Sequence, residues 1–81
     1  MEPERSFGDV LRELRRHRGL SQEALALEAD IERNYISLLE RGKNSASIRM
    51  LFKLCAVLKV SPSEFMSRLE RRLSAGDDPR H

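Results

Sequence analysis

The chain has 81 residues, of which 35% are charged and 40% hydrophobic, and its formal net charge is +2; this is the composition of a soluble globular domain with one modest core. No apolar run approaches the ~18 residues of a transmembrane helix, and the polar N-terminus lacks an apolar signal core, so we expect a cytoplasmic protein with no membrane contact. One cysteine excludes an internal disulfide, and one cysteine with two distant histidines excludes a Cys/His zinc cage.

Apolar residues recur at helical spacing along the whole chain, which predicts an all-α fold of five helices. Gly19 and Gly42 suit helix C-termini, whereas Ser21, Ser47 and Ser61 suit N-termini. The predicted helices run from about Glu4 to His17, from Gln22 to the break at Asp30, from about Glu32 to Arg41, from Ile48 to about Leu58 and from Pro62 to about Ser74. We therefore expect one domain over residues 5–74 and a disordered tail over 75–81.

The fourth predicted helix is the most apolar. Its apolar residues are Ile48, Leu51, Phe52, Leu54, Cys55 and Leu58, so we expect it to be the most buried helix. Cys55 is then a core residue without redox chemistry. In the fifth helix, Phe65 is expected to enter the core.

The second and third helices carry the most specific pattern. They are short and tightly connected, so they must cross at a steep angle, and Ala26 is small enough for the crossing. Asp30 lies where the connection requires a positive φ, which Asp tolerates less well than Gly. Ile31 and Ile36 then fix the third helix on the core.

Two runs carry a resemblance to a known family: Leu20-Ser21-Gln22-Glu23-Ala24-Leu25-Ala26, and Tyr35-Ile36-Ser37-Leu38-Leu39-Glu40-Arg41-Gly42-Lys43. The chain resembles the phage repressor/Cro (Xre-type) helix-turn-helix regulators from about Phe7 to Leu69. That resemblance implies a five-helix, lambda-repressor-like DNA-binding domain. Small members of the family include phage repressors, restriction–modification controller proteins and antitoxins. Asp30 replaces the usual Gly of the turn, and Glu32 replaces the usual Ser, Thr or Asp cap.

In this family the third helix enters the DNA major groove, and its first residues reach base edges. The corresponding residues here are Arg33, Asn34, Ser37 and Leu38. Arginine can pair in bidentate fashion with guanine, asparagine with adenine, and leucine can contact a thymine methyl group. The alternatives are a solvated helix start for Arg33 and Asn34, and ordinary burial beside Leu39 for Leu38.

The resemblance also implies contacts with the DNA backbone. The candidates are Gln22, Tyr35, Lys43, Asn44, Ser45 and Arg49. Gln22 starts the second helix, where the amide groups and helix dipole favour a phosphate. The hydroxyl of Tyr35 either bonds a phosphate or stays in water while the ring packs over the second helix. Glu40 is interpreted as structural, paired with an arginine of the first helix.

Helix five suggests a homodimer. Its apolar stripe comprises Met66, Leu69 and Leu73, which either edges the core or forms a two-fold contact. A dimer doubles the number of phosphate contacts and so explains how a small domain binds DNA selectively.

These patterns together predict a homodimeric regulator of transcription that binds an inverted-repeat operator in double-stranded DNA. The alternative is an antitoxin or accessory subunit whose main role is to bind a protein partner, and a further one is an adaptor that has lost DNA binding. No pattern of nucleophile and base, or of metal ligands, is present, so we expect no enzyme activity, no cofactor, no metal and no small-molecule ligand.

Overall fold

The computed structural model describes residues 2–76, which form five α-helices and no strand. Their bounds are α1 Pro3–His17, α2 Gln22–Ala29, α3 Arg33–Glu40, α4 Ile48–Leu58 and α5 Pro62–Gly76. The all-α prediction is confirmed, with most helix ends within two residues of the expected positions. Since α5 includes Gly76, it extends two residues beyond its predicted end at Ser74. The rest of the predicted tail, residues 77–81, lies outside the described residues.

Serine hydroxyls start three of the helices, as the sequence predicts. Ser21 accepts a hydrogen bond from the Ala24 amide at 3.0 Å, and Ser47 accepts one from Met50 at 3.1 Å. Ser61 does the same for the Glu64 amide at 3.0 Å, directly before Pro62. Glu32 precedes α3 without a side-chain cap, so the reading helix begins with its first amides free.

Left-handed residues end the first four helices. After α3, the Lys43 amide bonds to the Leu38 carbonyl at 2.9 Å and the Gly42 amide to Leu39 at 3.1 Å, which is a Schellman motif. Gly42 has a φ of 71°. Asp30 ends α2 with a φ of 57°, so the predicted left-handed turn is confirmed at this non-glycine position.

The core lies at the centre of the five helices. Phe65 is fully buried, as predicted, and its ring lies 4.8 Å from that of Phe7. The other buried hydrophobic residues are Val10, Leu11, Leu14, Leu25, Ala26, Ala29, Ile36, Leu39, Leu54, Cys55, Leu58 and Leu69. The α2–α3 pair packs on α1 and α4, whereas α5 packs on α1 and α4. The helix-turn-helix pair is therefore fixed along one side of the domain.

The prediction that α4 is the most buried helix is wrong in part. Leu54, Cys55 and Leu58 are buried, but Ile48 is 75% exposed and Phe52 is 57% exposed. The apolar residues of α4 cover a wider arc than the core can contact, and one edge of that arc faces solvent. Burial raises the pKa of the Cys55 thiol to about 11, so the thiol stays protonated at neutral pH.

Candidate nucleic-acid interface

One face of α3 is turned to solvent along the length of the helix. Ile36 and Leu39 hold the opposite face in the core. Arg33 and Asn34 are exposed in the first turn, and neither side chain makes a hydrogen bond or ion pair with another of residues 2–76. Their donors and acceptors are therefore available to a ligand. All four residues predicted to read bases lie on this outward face: Arg33, Asn34, Ser37 and Leu38.

Leu38 is not buried as the alternative to base reading required. Leu39 is fully buried, whereas Leu38 is half-buried and lies apart from the hydrophobic side chains that pack against the core. Its side chain therefore adds an apolar group to a face that is otherwise polar. Such a group is what a thymine methyl contact requires.

The first turn of α2 is tied to the last turn of α3. The Nε2 amide of Gln22 donates a hydrogen bond to Oε1 of Glu40 at 3.1 Å. The Gln22 side chain is half-buried and bonded within the chain, so it is not freely exposed at the start of α2. The backbone amide of Gln22 belongs to the first turn of α2, where amide groups have no partner within the helix.

Glu40 lies at the centre of a buried ion network. It is only 2% exposed, and its Oε2 accepts a hydrogen bond from Nε of Arg15 at 2.6 Å. Its Oε1 accepts a second bond from Arg15 at 2.9 Å and a longer one from Arg12 at 3.4 Å. The predicted pairing of Glu40 with an arginine of α1 is thus confirmed, with two arginines instead of one.

The network keeps the Glu40 carboxylate charged. Burial by itself raises the pKa of Glu40, but hydrogen bonds from Arg15 and Gln22 and the charges of Arg15 and Arg12 outweigh it. The net effect is a pKa below the ordinary value of a glutamate. Arg15 is also buried, and it donates to the Leu20 carbonyl at 2.8 Å, so the same group fixes the α1–α2 connection.

The Tyr35 hydroxyl has a partner within the chain. It donates a hydrogen bond to the Ser45 carbonyl at 2.9 Å, while the half-buried ring packs against the core. Neither sequence-based interpretation of Tyr35 anticipated this partner. The residue fixes the loop after α3 onto the helix.

The loop after α3 contains three of the predicted backbone contacts. The Ser45 hydroxyl donates a hydrogen bond to Oε2 of Glu4 at 3.3 Å, and Oδ1 of Asn44 accepts a hydrogen bond from the Ser45 amide at 3.1 Å. Lys43 is exposed, as is Arg49 in the first turn of α4. Neither cation has a carboxylate partner within residues 2–76. The free donors of this segment are therefore the Lys43 and Arg49 side chains and the amide group of Asn44.

The predicted dimer stripe on α5 is only partly exposed. Leu69 is 7% exposed within the single chain and belongs to its core, as in the alternative that the stripe edges the core. Met66 is exposed and Leu73 half-buried. On the neighbouring helix α4, Ile48 and Phe52 add apolar surface that the sequence analysis had placed in the core.

Sequence reasoning missed two residues that position α1 against α3. An ideal Cβ at Gly8 would lie 2.4 Å from the Leu39 carbonyl oxygen and 2.7 Å from that of Glu40. A Cβ at Gly42 would lie 2.9 Å from the Arg5 Cα. These are direct backbone contacts between segments far apart in sequence. The sequence signal at Gly8 is a glycine inside a helix, where glycine is disfavoured, whereas Gly42 signals only the end of α3.

Across residues 2–76, no three His, Cys, Asp or Glu side chains are grouped so that they could hold a metal ion. Over the same residues, every helix is too short or too polar to cross a membrane.

Comparison with known proteins gives the family. A family model described as helix-turn-helix matches residues 11–65, which is more than half of the chain. The chain belongs to the Xre-type helix-turn-helix family. This helix-turn-helix protein is 39% identical to the control protein C.MunI of Mycoplasma sp over 66 residues, covering 80% of the chain and 89% of that relative.

Solved structures agree with the fold. The restriction–modification controller protein C.AhdI of Aeromonas hydrophila is 41% identical, with a TM-score of 0.73 over 75% of this helix-turn-helix protein and 92% of C.AhdI. The controller protein C.Esp1396I, solved as a tetramer in complex with its natural 35 base-pair operator, is 28% identical. Its TM-score is 0.80, over 88% of the present chain and 93% of C.Esp1396I.

Proposed function

We propose that this chain is a sequence-specific DNA-binding regulator of transcription that binds an inverted-repeat operator as a homodimer, with α3 in the major groove. One observation carries the proposal: α3 presents an outward face with Arg33 and Asn34 exposed and unpaired within residues 2–76. To read bases in the major groove, α3, the second helix of the helix-turn-helix motif, must present exposed hydrogen-bond donors in its first turn. The relationship to controller proteins, one of them solved on its operator, supports the same reading.

Two groups flank the reading helix and are proposed to hold the DNA backbone. On one side is the amide end of α2 at Gln22, where the helix dipole favours a phosphate. On the other side are Lys43, Asn44 and Arg49. Ser45 and Tyr35 are proposed to shape the loop rather than to donate to a phosphate, because the hydroxyl groups of both have partners within the chain. Such a regulator acts in the cytoplasm and performs no catalysis.

A selection of duplexes from a random pool, repeated at two salt concentrations, tests the proposal. We expect enrichment of an inverted repeat whose half-sites are about 34–36 Å apart, or a multiple of that spacing. Salt-sensitive binding without an enriched sequence would contradict sequence-specific reading. Absence of binding at low salt would favour the alternative of a protein partner.

Arg33→Ala is expected to weaken binding to the selected operator by about 1–3 kcal/mol and to relax the preference at one base pair. The reason is the loss of a bidentate contact with a base. The measurement is a titration of the operator and of random DNA with the variant. Arg71→Ala, which removes the same charge from an exposed position on α5, is the control. An equal loss on both DNAs would make Arg33 a phosphate contact instead.

The proposed dimer surface is the apolar area that α4 and α5 leave exposed, with Ile48, Phe52 and Met66 as its members. Phe52→Glu is expected to give a folded monomer in sedimentation, because a charge would be buried at the two-fold contact. Leu27→Glu on α2 is the matched control, because Leu27 is exposed on a different helix. A Phe52→Glu protein that stays dimeric at the same concentration would place the interface elsewhere.

A further inference from the structure

A cleft between α1 and the end of α3 adjoins the interface described above and shares Lys43 with it. Its volume is about 280 Å³. Four cations and two acids line it: Arg5, Arg12, Arg41, Lys43, Asp9 and Glu40. Of these, only Lys43 was singled out as a DNA contact by the sequence. We infer that this cleft binds a backbone phosphate of DNA, with Arg5 as its main new ligand; the inference rests on the proposed function.

The two acids of the cleft pair with arginines other than Arg5 and Arg41. Glu40 is buried and receives hydrogen bonds from Arg15, Arg12 and Gln22. Asp9 lies 3.7 Å from Arg72 of α5, and Arg72 also pairs with Glu13. Within residues 2–76, neither carboxylate forms an ion pair with Arg5, Arg41 or Lys43.

Three cations consequently carry charge that no carboxylate within residues 2–76 balances. Arg5 and Lys43 are exposed, and their side chains have no hydrogen-bond or ion-pair partner among those residues. Arg41 makes one long bond, from Nε to the Ser37 carbonyl at 3.4 Å. Positive groups near the C-terminus of α3 complement its dipole, and Arg5, whose backbone lies against Gly42, adds a third cation there from another helix.

The position of Arg5 is fixed by backbone contact. Gly42 lies so close to α1 that a Cβ there would be 2.9 Å from the Arg5 Cα. One turn further along α1, Gly8 is in similarly close contact with the carbonyls of Leu39 and Glu40. Arg5 is therefore held beside the segment that contains Lys43, and less conformational freedom is lost when both cations bind one anion.

The cleft adjoins the phosphate contact proposed at α2. Nε of Arg12 and Nε2 of Gln22 donate to the same oxygen, Oε1 of Glu40, at 3.4 and 3.1 Å. The cleft thus lies between Gln22 on one side and Lys43 on the other. A singly charged phosphate ester is the ligand that suits such a group of cations, and a DNA strand running past α2 would supply it.

The test is the salt dependence of binding to the selected operator for Arg5→Gln. We expect affinity on the order of tenfold lower at low salt, on operator and random DNA alike, since a charged phosphate contact is lost. The slope of log affinity against log salt should fall by about 0.9, the value for one phosphate. Arg18→Gln is the matched control because Arg18 lies about 20 Å away along α1 and bonds to the Val57 carbonyl.

Ethylation interference identifies the phosphate source. We expect one phosphate in each half-site whose ethylation impairs binding of the wild type and of Arg18→Gln more strongly than that of Arg5→Gln, which keeps Lys43 at the cleft. An unchanged slope and interference pattern for Arg5→Gln, with the wild type still bound to its operator, would overturn the inference and leave the proposed function intact. Failure of the wild type to bind any duplex would overturn both.

Discussion

Glu40→Ala is expected to lower the free energy of unfolding by about 3–5 kcal/mol, which is the largest effect of any substitution considered for this chain. The variant leaves Arg15 buried, at 8% exposure, without its carboxylate partner. It also releases Arg12 and Gln22, which bond to the same carboxylate. Urea denaturation followed by circular dichroism measures the loss. Because one carboxylate joins α1, α2 and α3, its removal affects the whole helix-turn-helix unit.

The control for Glu40→Ala is Glu64→Ala, which removes an exposed carboxylate paired with Arg68 at 3.2 Å. An exposed pair one turn apart on a helix contributes only about 0.3–0.5 kcal/mol. If both variants lose similar amounts, the buried network is not a main source of stability.

The pH dependence of stability follows from the direction of the Glu40 pKa shift. The pKa of Glu40 is lower in the folded protein than its ordinary value. Its contribution is therefore complete above the unfolded pKa of about 4.3 and is lost as pH falls through the folded value. Glu40→Gln should lack this part of the acid-induced loss, so the difference in stability between wild type and variant should shrink below about pH 4. A constant difference across that range would contradict the assignment.

The helices and their ends could be predicted because their signals are local. Ser21, Ser47 and Ser61 need only the amides three residues ahead, and Gly42 needs only its own left-handed backbone. The turn at Asp30 was predictable for the same reason. Each of these signals involves only residues within one or two helical turns, and tertiary packing did not change the helix ends that they predict.

Burial at the edges of helices could not be predicted in the same way. Periodicity identifies the apolar arc of a helix but not which part of that arc a neighbour covers. Phe52 on α4 and Leu69 on α5 both lie on such arcs, but Phe52 is exposed and Leu69 is buried. The expectation for Phe52 was wrong, and the sequence left two alternatives open for Leu69, because the burial of both residues depends on where other helices cross.

In the candidate site, too, local features could be predicted from the sequence, whereas features that depend on tertiary contacts could not. The outward positions of Arg33 and Asn34 follow from the helical period of α3 alone, since Ile36 and Leu39 occupy the other face. The partner of Tyr35 could not be read from the sequence, because its bond to the Ser45 carbonyl depends on the path of a loop. Arg5 lies near Lys43 because α1 contacts α3, and that contact joins residues more than thirty positions apart in sequence.

That contact gives the second large effect. Gly8→Ala is expected to destabilise the protein by about 3 kcal/mol, at the upper end of the range for overpacking. The added Cβ would lie 2.4 Å from the Leu39 carbonyl oxygen, and a backbone oxygen cannot rotate away as a side chain can. Helix propensity alone predicts the opposite sign, since alanine stabilises a helix interior by roughly 0.5–1 kcal/mol relative to glycine. The sign of the change in unfolding free energy therefore decides between local propensity and close packing.

The measurement is urea denaturation of Gly8→Ala, with Arg16→Ala on the same helix as the control. Arg16 is exposed, so its replacement should change the free energy of unfolding by no more than about 0.5 kcal/mol. If Gly8→Ala folds but with α1 moved away from α3, Arg15 can no longer reach Glu40 with its observed geometry, and DNA affinity should fall together with stability. A Gly8→Ala protein as stable as the wild type would mean that α1 can shift at little cost. The contact that holds Arg5 and the Glu40 network beside α3 would then be loose instead of fixed.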